Sequence, residues 1–342
     1  MNEEILKPYI RKVTKEDKKK LPTFSYSKME VFKTCPFQYD KKYNGKMRTN
    51  DTSIALELGS LCHYVLEMKG KMLQDEVDYD FLKNIEIYGA DGLLGTKELK
   101  KKYWEEWYAK DNASGMNYDQ KMKIFDDVVH TEMETDNWTP FLFEHSFEFV
   151  WNNRCIIHGF IDRVDKRGND FKVIDYKTSK KVYDQSKLST SLQFGIYCLA
   201  ILNEFGTLPV ESMYRFILID EHQYALTRGW EKRLIKAIEK ILDSIDLMEK
   251  EGVWNPKPCP LCHWCNFSAT NPNATTYKHE CDYYSLWTPT NKTFKTNKIF
   301  NADAEKEKRL IKLNNCGIIE VETKKKDKAN KKADKTKRKL IF

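Results

Sequence analysis

Residues 158–177, HGFIDRVDKRGNDFKVIDYK, decide the architecture of this chain. Two short apolar segments flank a polar stretch, Lys166–Asn169, with Gly168 inside it. That pattern predicts two strands joined by a turn. Asp162 lies on the first strand and Asp175 on the second, and so tight a turn makes the strands neighbours. Asp175 and Lys177 are two apart, so a strand presents both on one face. Two buried carboxylates side by side repel, and one is driven towards protonation unless a cation neutralises them. Hard divalent cations take oxygen ligands of this kind.

Outward from this hairpin, SFEFVW (146–151) alternates and predicts a strand, and Asn152-Asn153 a turn before CIIHGFIDRVD. Residues 186–204 have helical spacing, with Gln193 and Tyr197 four apart on one face. YRFILI (214–219) predicts a further strand, and 229–250 an amphipathic helix with Leu234, Ile238, Ile241 and Leu242 inward. Upstream, Ser27 with Glu30 has the form of a capping box, and Cys35-Pro36 interrupts the helix it opens. Residues 54–70 predict another helix, which carries His63 and Glu67 on one side. The stretch 97–135, with Trp104, Trp107 and Tyr108, predicts a helical lobe with an aromatic core. Pro256, Pro258 and Pro260 end regular structure.

Composition narrows the function classes. The chain has 342 residues, 41% of them hydrophobic, which supports a real core and excludes global disorder. The formal net charge is +7, and residues 321–342 carry ten Lys/Arg against Glu322, Asp327 and Asp334, so the tail alone supplies it. Polyanion affinity in the folded part must therefore come from local patches. The start, MNEEILKPYIRKVTKEDKKK, lacks an apolar leader, and no apolar run spans a bilayer. A cytoplasmic protein without membrane partners is expected. YGADGLLGTKE (88–98), with Lys97, lacks the G-K-[ST] order of a phosphate-binding loop, so no nucleotide motor is expected.

Carboxylates holding a cation beside a lysine suit metal-assisted phosphodiester hydrolysis. Taken singly, His63 reads as a partly buried structural histidine and Gln193 as helix packing, while a same-face ion pair for Asp175 and Lys177 and packing for Tyr197 are alternatives to a chemical role. Their order changes the reading. LGSLCHYVLE, HGFIDRVD, VIDYKT and LQFGIY, preceded by SYSKMEVFKTCPFQY, resemble the motifs of the PD-(D/E)XK nuclease superfamily in its RecB-like branch. That branch includes the nuclease domains of RecB and AddB, phage exonucleases and CRISPR-associated RecB-like nucleases. The resemblance implies a restriction-endonuclease-like α/β core, a mixed central sheet flanked by helices, with a helical lobe and a C-terminal cysteine clasp. It implies Mg²⁺ or Mn²⁺ held by His63, Asp162, Asp175 and the backbone carbonyl of Tyr176, with Lys177 catalytic. Gln193 and Tyr197 would position DNA or the active-site groups.

Nine cysteines are unevenly placed. Cys62, Cys155 and Cys198 sit in apolar surroundings and are expected in the core, and Cys316 is isolated. Cys259, Cys262, Cys265 and Cys281 cluster, which in a reducing compartment points to a metal group. In iron–sulfur members of the branch, one early and three late cysteines hold a [4Fe–4S] cluster, which here implies Cys35, Cys262, Cys265 and Cys281. Two departures stand out: the long Cys265–Cys281 gap and the extra Cys259. The alternative is Zn²⁺ held by Cys259, Cys262, Cys265 and Cys281, or with His263 or His279.

The expected organisation is a loose segment over 1–23, a nuclease domain over 24–285 and a Lys-rich tail over 286–342. Within the domain lie the helical lobe (54–140), the catalytic core (144–220) and the clasp (255–285 with Cys35). The expected activity is metal-dependent DNA exonuclease action on ends or single strands, in phage or mobile-element recombination, repair or DNA degradation. The partner would be DNA, with a helicase or another replication or recombination protein. The competing expectation is a catalytically inactive module that binds DNA ends or a partner.

Overall fold

The computed structural model describes residues 3–47, helical positions 59–60, 62–63, 66–67 and 70, and 137–281 apart from 180, 227, 273 and 275, with a short strand pair at 288–289 and 297–298. The aromatic 97–135 stretch, Cys316 and the basic tail lie outside the described residues. The described residues fall into two compact units, one drawn from 1–26 and 52–239, the other from 27–51 and 240–342. No helix among them is long and apolar enough to cross a membrane.

The first unit is built on a sheet of seven strands among the described residues: β1 (Ile10–Arg11), β2 (Thr23–Phe24), β3 (Thr139–Trp151), β4 (Cys155–Arg167), β5 (Asp170–Lys177), β6 (Glu211–Phe216) and β7 (Glu221–Tyr224). The order is β1-β3-β4-β5-β6-β7, with β2 paired to β4. A single helical turn, α1 (Asp17–Lys20), lies between β1 and β2. β3, β4 and β5 form an antiparallel meander. β5 and β6 are parallel, as a helical crossover requires, and the sheet is mixed as expected. Asn152 (φ 46°) and Asn153 (φ 53°) make the β3–β4 turn, a left-handed conformation that asparagine tolerates. Gly168 (φ 59°) makes the β4–β5 turn.

In the second unit, α2 (Tyr26–Thr34) begins one residue before Ser27, so Ser27 lies inside the helix, and Glu30 pairs with Lys33. Cys35 is extended (φ −159°) and Pro36 opens α3 (Pro36–Tyr39), the break expected there. Tyr39 stacks on Trp254 with ring centroids 5.4 Å apart, which ties the early segment to the chain that precedes the prolines. A single 3₁₀ turn, Pro260–Trp264, follows.

The crossover between β5 and β6 is where prediction and structure part. The helix expected over 186–204 is two helices, α4 (Gln185–Ser189) and α5 (Leu192–Phe205). Asp184 caps the first by accepting from Lys187 N, and Ser191 caps the second by accepting from Phe194 N. Each cap side chain starts its own helix, so the run cannot stay continuous. α5 is buried from Phe194 to Leu202 and ends at Gly206 (φ 79°). Gly195 lets α5 approach α6 (Trp230–Glu251): an added Cβ would meet Leu234 Cδ1 at 2.5 Å.

Strand limits also shift. β3 starts at Thr139 rather than at 146. β6 ends at Phe216, not at 219, because the chain turns through 217–220 with Asp220 at φ 51°. β7, EHQY, carries no apolar alternation and is invisible to a periodicity reading. The described positions between 59 and 70 are helical, and Cys62 and Leu66 are buried there. Cys155 and Cys198 are buried as expected.

Candidate active site

Strand register places the acids. The β3–β4 ladder pairs Phe143 with Arg163 and His145 with Ile161, so Glu144 stands opposite Asp162. The β4–β5 ladder begins at Arg163–Ile174, and one step further Asp175 stands opposite Asp162. Glu144, Asp162 and Asp175 thus form a row across three strands. Glu144 holds φ 42°, a region that non-glycine residues rarely enter.

Each member has partners. His63 Nδ1 lies 3.4 Å from Glu144 Oε1 and 3.5 Å from Asp162 Oδ1. Asp162 Oδ2 accepts from the Tyr176 backbone N–H at 2.8 Å. Asp175 Oδ1 accepts from Gln193 Nε2 at 2.7 Å and from the Tyr197 hydroxyl at 3.3 Å. Lys177 Nζ sits against Asp175 Oδ2, in ion-pair contact rather than aligned for a hydrogen bond, and also donates to Gln193 Oε1 at 3.4 Å. Asp162 and Asp175 are buried, while the Lys177 side chain keeps 23% of its surface exposed. All eight residues belong to the first unit.

Electrostatics follow from this crowding. Burial, then the Asp175 charge, pushes the Asp162 carboxyl far above the usual carboxylate range; His63 and the Tyr176 N–H pull the other way and lose. Burial depresses His63, but the Glu144 hydrogen bond and the Asp162, Asp175 and Glu144 charges outweigh it and carry the imidazole up to about 9. Lys177 is likewise lowered by burial and raised further by Asp175, so it stays an ammonium. Tyr197 is lifted well above its ordinary value by burial and Asp175, which keeps it a neutral donor.

His63, Glu144 and Asp162 each offer a ligand atom within 4.8 Å of the others, an oxygen- and imidazole-rich set that fits Mg²⁺ or Mn²⁺. Asp175 is not in that set, since both its oxygens face Gln193, Tyr197 and Lys177. Sequence reasoning singles out His63, Asp162, Asp175, Lys177, Gln193 and Tyr197, and the structure gathers all six. Tyr176 joins through its backbone N–H. Sequence reasoning misses Glu144. Counting back from Asp162 across the Asn152-Asn153 turn arrives at it, but the strand predicted from alternation stops two residues short.

The second unit holds the cysteines. Cys35, Cys259, Cys262, Cys265 and Cys281 line one cavity of about 160 Å³ with Trp264 and Phe267. Cys35 Sγ accepts from Lys257 N, and Cys262 Sγ from Cys259 N, each at 3.4 Å. Burial pushes the Cys262 thiol up to about 12. Soft thiol donors around one cavity fit an iron–sulfur group or zinc.

Comparison with known proteins bears on the first unit's chemistry. The family model for the PD-(D/E)XK nuclease superfamily matches residues 23–270. An ATP-dependent helicase/deoxyribonuclease subunit of Clostridium perfringens is 24% identical over 221 residues, covering 55% of this chain and 18% of the relative. Its counterpart from Clostridium tetani is 26% identical over 205 residues, covering 53% and 18%. The chain spans less than a fifth of the length of these curated relatives.

Proposed function

Because the chain belongs to the PD-(D/E)XK nuclease superfamily, we propose that it is a metal-dependent deoxyribonuclease that acts as an exonuclease on DNA ends or single strands. The observation that carries this reading is the acid row of Glu144, Asp162 and Asp175, met by His63 at one end and Lys177 at the other. His63, Glu144 and Asp162 would hold Mg²⁺ or Mn²⁺; Asp175, on turning an oxygen from Lys177, and the Tyr176 carbonyl are the further ligands that the family resemblance implies. Such an ion supplies Lewis-acid polarisation of the phosphate and lowers the pKa of its water.

The remaining roles belong to the chain. Lys177, held cationic by Asp175, offsets negative charge that builds on the phosphate. Gln193 and Tyr197 fix the Asp175 carboxylate and, through the Gln193 carbonyl oxygen, the ammonium. Helicase action would come from a partner, in keeping with the helicase/deoxyribonuclease name of the clostridial relatives. Phage or mobile-element DNA processing is the setting we favour.

The test is degradation of end-labelled single- and double-stranded DNA, linear and circular, with Mg²⁺ or Mn²⁺ after EDTA stripping. Wild-type protein should degrade linear substrate and Lys177→Ala should not. DNA binding without metal-dependent cleavage would point to the inactive end-binding module instead. Cleavage of circles at the linear rate would remove the exonuclease assignment.

For the second unit we propose a [4Fe–4S] cluster on Cys35, Cys262, Cys265 and Cys281, acting as a structural clasp. The place of Cys35 on the same cavity as Cys262, Cys265 and Cys281 supports it over the local zinc set, which leaves Cys35 out. Anaerobically purified protein should be brown and Cys35→Ala colourless; stoichiometric zinc in colourless wild type would favour the Zn²⁺ set with Cys259.

A further inference from the structure

Phe160, in the middle of the thirteen-residue β4, is 57% exposed. It lies two residues before Asp162 on β4, so both side chains leave the same face of the sheet. The separation along the strand is roughly 6.6 Å, close to one nucleotide of extended single strand. Its antiparallel neighbour on β3 is Ser146, small and exposed, so nothing bulky is opposite it on that side. On the other side the β4–β5 ladder stops at Arg163–Ile174. Continuing the count past that point sets Phe160 two residues along β4 from the acid row, at the level of Lys177.

From this placement we infer that Phe160 is a stacking platform for the base of the nucleotide next to the scissile phosphate of a single-stranded DNA end. The inference rests on the nuclease reading and adds a substrate-positioning residue to it. An aromatic face binds any base, so the platform holds the strand without selecting sequence. Stacking one base beside the row also fixes where the next phosphate falls relative to Asp162 and Lys177, which ties holding the strand to placing the bond. Phe160 is a positioning residue: it touches the substrate base, not the reacting atoms.

The test uses fluorescence anisotropy of a labelled single-stranded oligonucleotide on the full chain, in a Lys177→Ala background that prevents turnover. Phe160→Ala should weaken binding about 5- to 100-fold, while Phe160→Trp stays near the parent. Mn²⁺ affinity by calorimetry should be the same in all three. An abasic site moved along the oligonucleotide should weaken the parent at one position, and Phe160→Ala should not feel that position. Phe160→Ala binding like the parent, Phe160→Trp losing as much as Phe160→Ala, or an abasic penalty that persists without the ring would each overturn the platform. Wild type that cleaves DNA while these variants are unaffected sinks the platform alone. Wild type that neither binds nor cleaves DNA sinks the nuclease reading with it.

Discussion

Replacing Asp162 with asparagine in metal-stripped protein should stabilise the fold at alkaline pH. Burial, then the neighbouring Asp175, lifts the Asp162 carboxyl from 3.8 to about 8, against the opposing pull of His63 and Tyr176 N–H. The folded chain therefore holds a proton that the unfolded chain has released across that interval. Stability falls as pH rises through it, and the full penalty is present only above the folded value. At about 1.4 kcal/mol per pH decade the ceiling is roughly 5–6 kcal/mol. Local relaxation, water entry and the loss of His63's partner bring the expected gain to about 2 kcal/mol. His63 works in the other direction: its folded value, raised from 6.5 to about 9, contributes stability below 6.5 that is lost as pH rises through 9. Near pH 5 Asp162 already carries its proton, so Asp162→Asn removes no charge from beside His63 there. The variant should thus match wild type near pH 5 and exceed it near pH 8, by about 3 °C in Tm. The amide keeps an acceptor for Tyr176 N–H, so packing is preserved. Thermal unfolding in EDTA from pH 5 to 8.5 measures this, and added Mn²⁺ should then raise wild-type Tm more than that of the variant. Equal melting at every pH, or a variant less stable at pH 8, would refute the charge-crowding argument.

Lys177→Ala should lower kcat about 10²–10³-fold while leaving Mn²⁺ affinity within a few-fold, read by single-turnover cleavage and calorimetry. Glu144→Gln should weaken Mn²⁺ binding about 10- to 100-fold, and Glu144→Gly should do so while relieving the φ 42° strain, so its metal-free Tm should not fall. Metal affinity should rise with pH, because ions compete with protons on His63, raised to about 9, and on Asp162, also raised. Calorimetry in buffers of different ionisation enthalpy should accordingly show proton release on Mn²⁺ binding at pH 7, and no release would count against His63 as a ligand. Cys35→Ala should lose visible absorbance and melt at lower temperature than wild type in the same anaerobic buffer.

The meander is legible in the sequence because SFEFVW in β3 alternates, β4 and β5 are short apolar segments, and the Asn152-Asn153 and Gly168 turns announce themselves chemically. Asp162, Asp175 and Lys177 come with it, since a strand pair and a two-residue spacing fix their facing. His63, Gln193 and Tyr197 need the order of family motifs, for a histidine on one helix and a glutamine on another share no local pattern. Glu144 escapes because its place is set by pairing across a turn, and its own backbone leaves the alternation that marks a strand. The split between α4 and α5 escapes for a related reason: Thr190 and Ser191 are compatible with a helix by pattern, and only the capping bond to Phe194 shows that a new one starts. β7 is short and polar, held by its pairing with β6 rather than by burial of its own side chains.

The two tight loops of the meander are not equivalent to a protein engineer. One extra residue between Trp151 and Cys155 would slide β3 past its neighbour and carry Glu144 out of line, with every amino acid of the row still present and Asp162 and Asp175 still abreast. The same insertion at Gly168 would separate Asp162 from Asp175 and leave Glu144 where it is. Loop length is therefore a dial that selects which carboxylate is withdrawn, and a pair of one-residue insertions can dissect the row without changing any side chain in it.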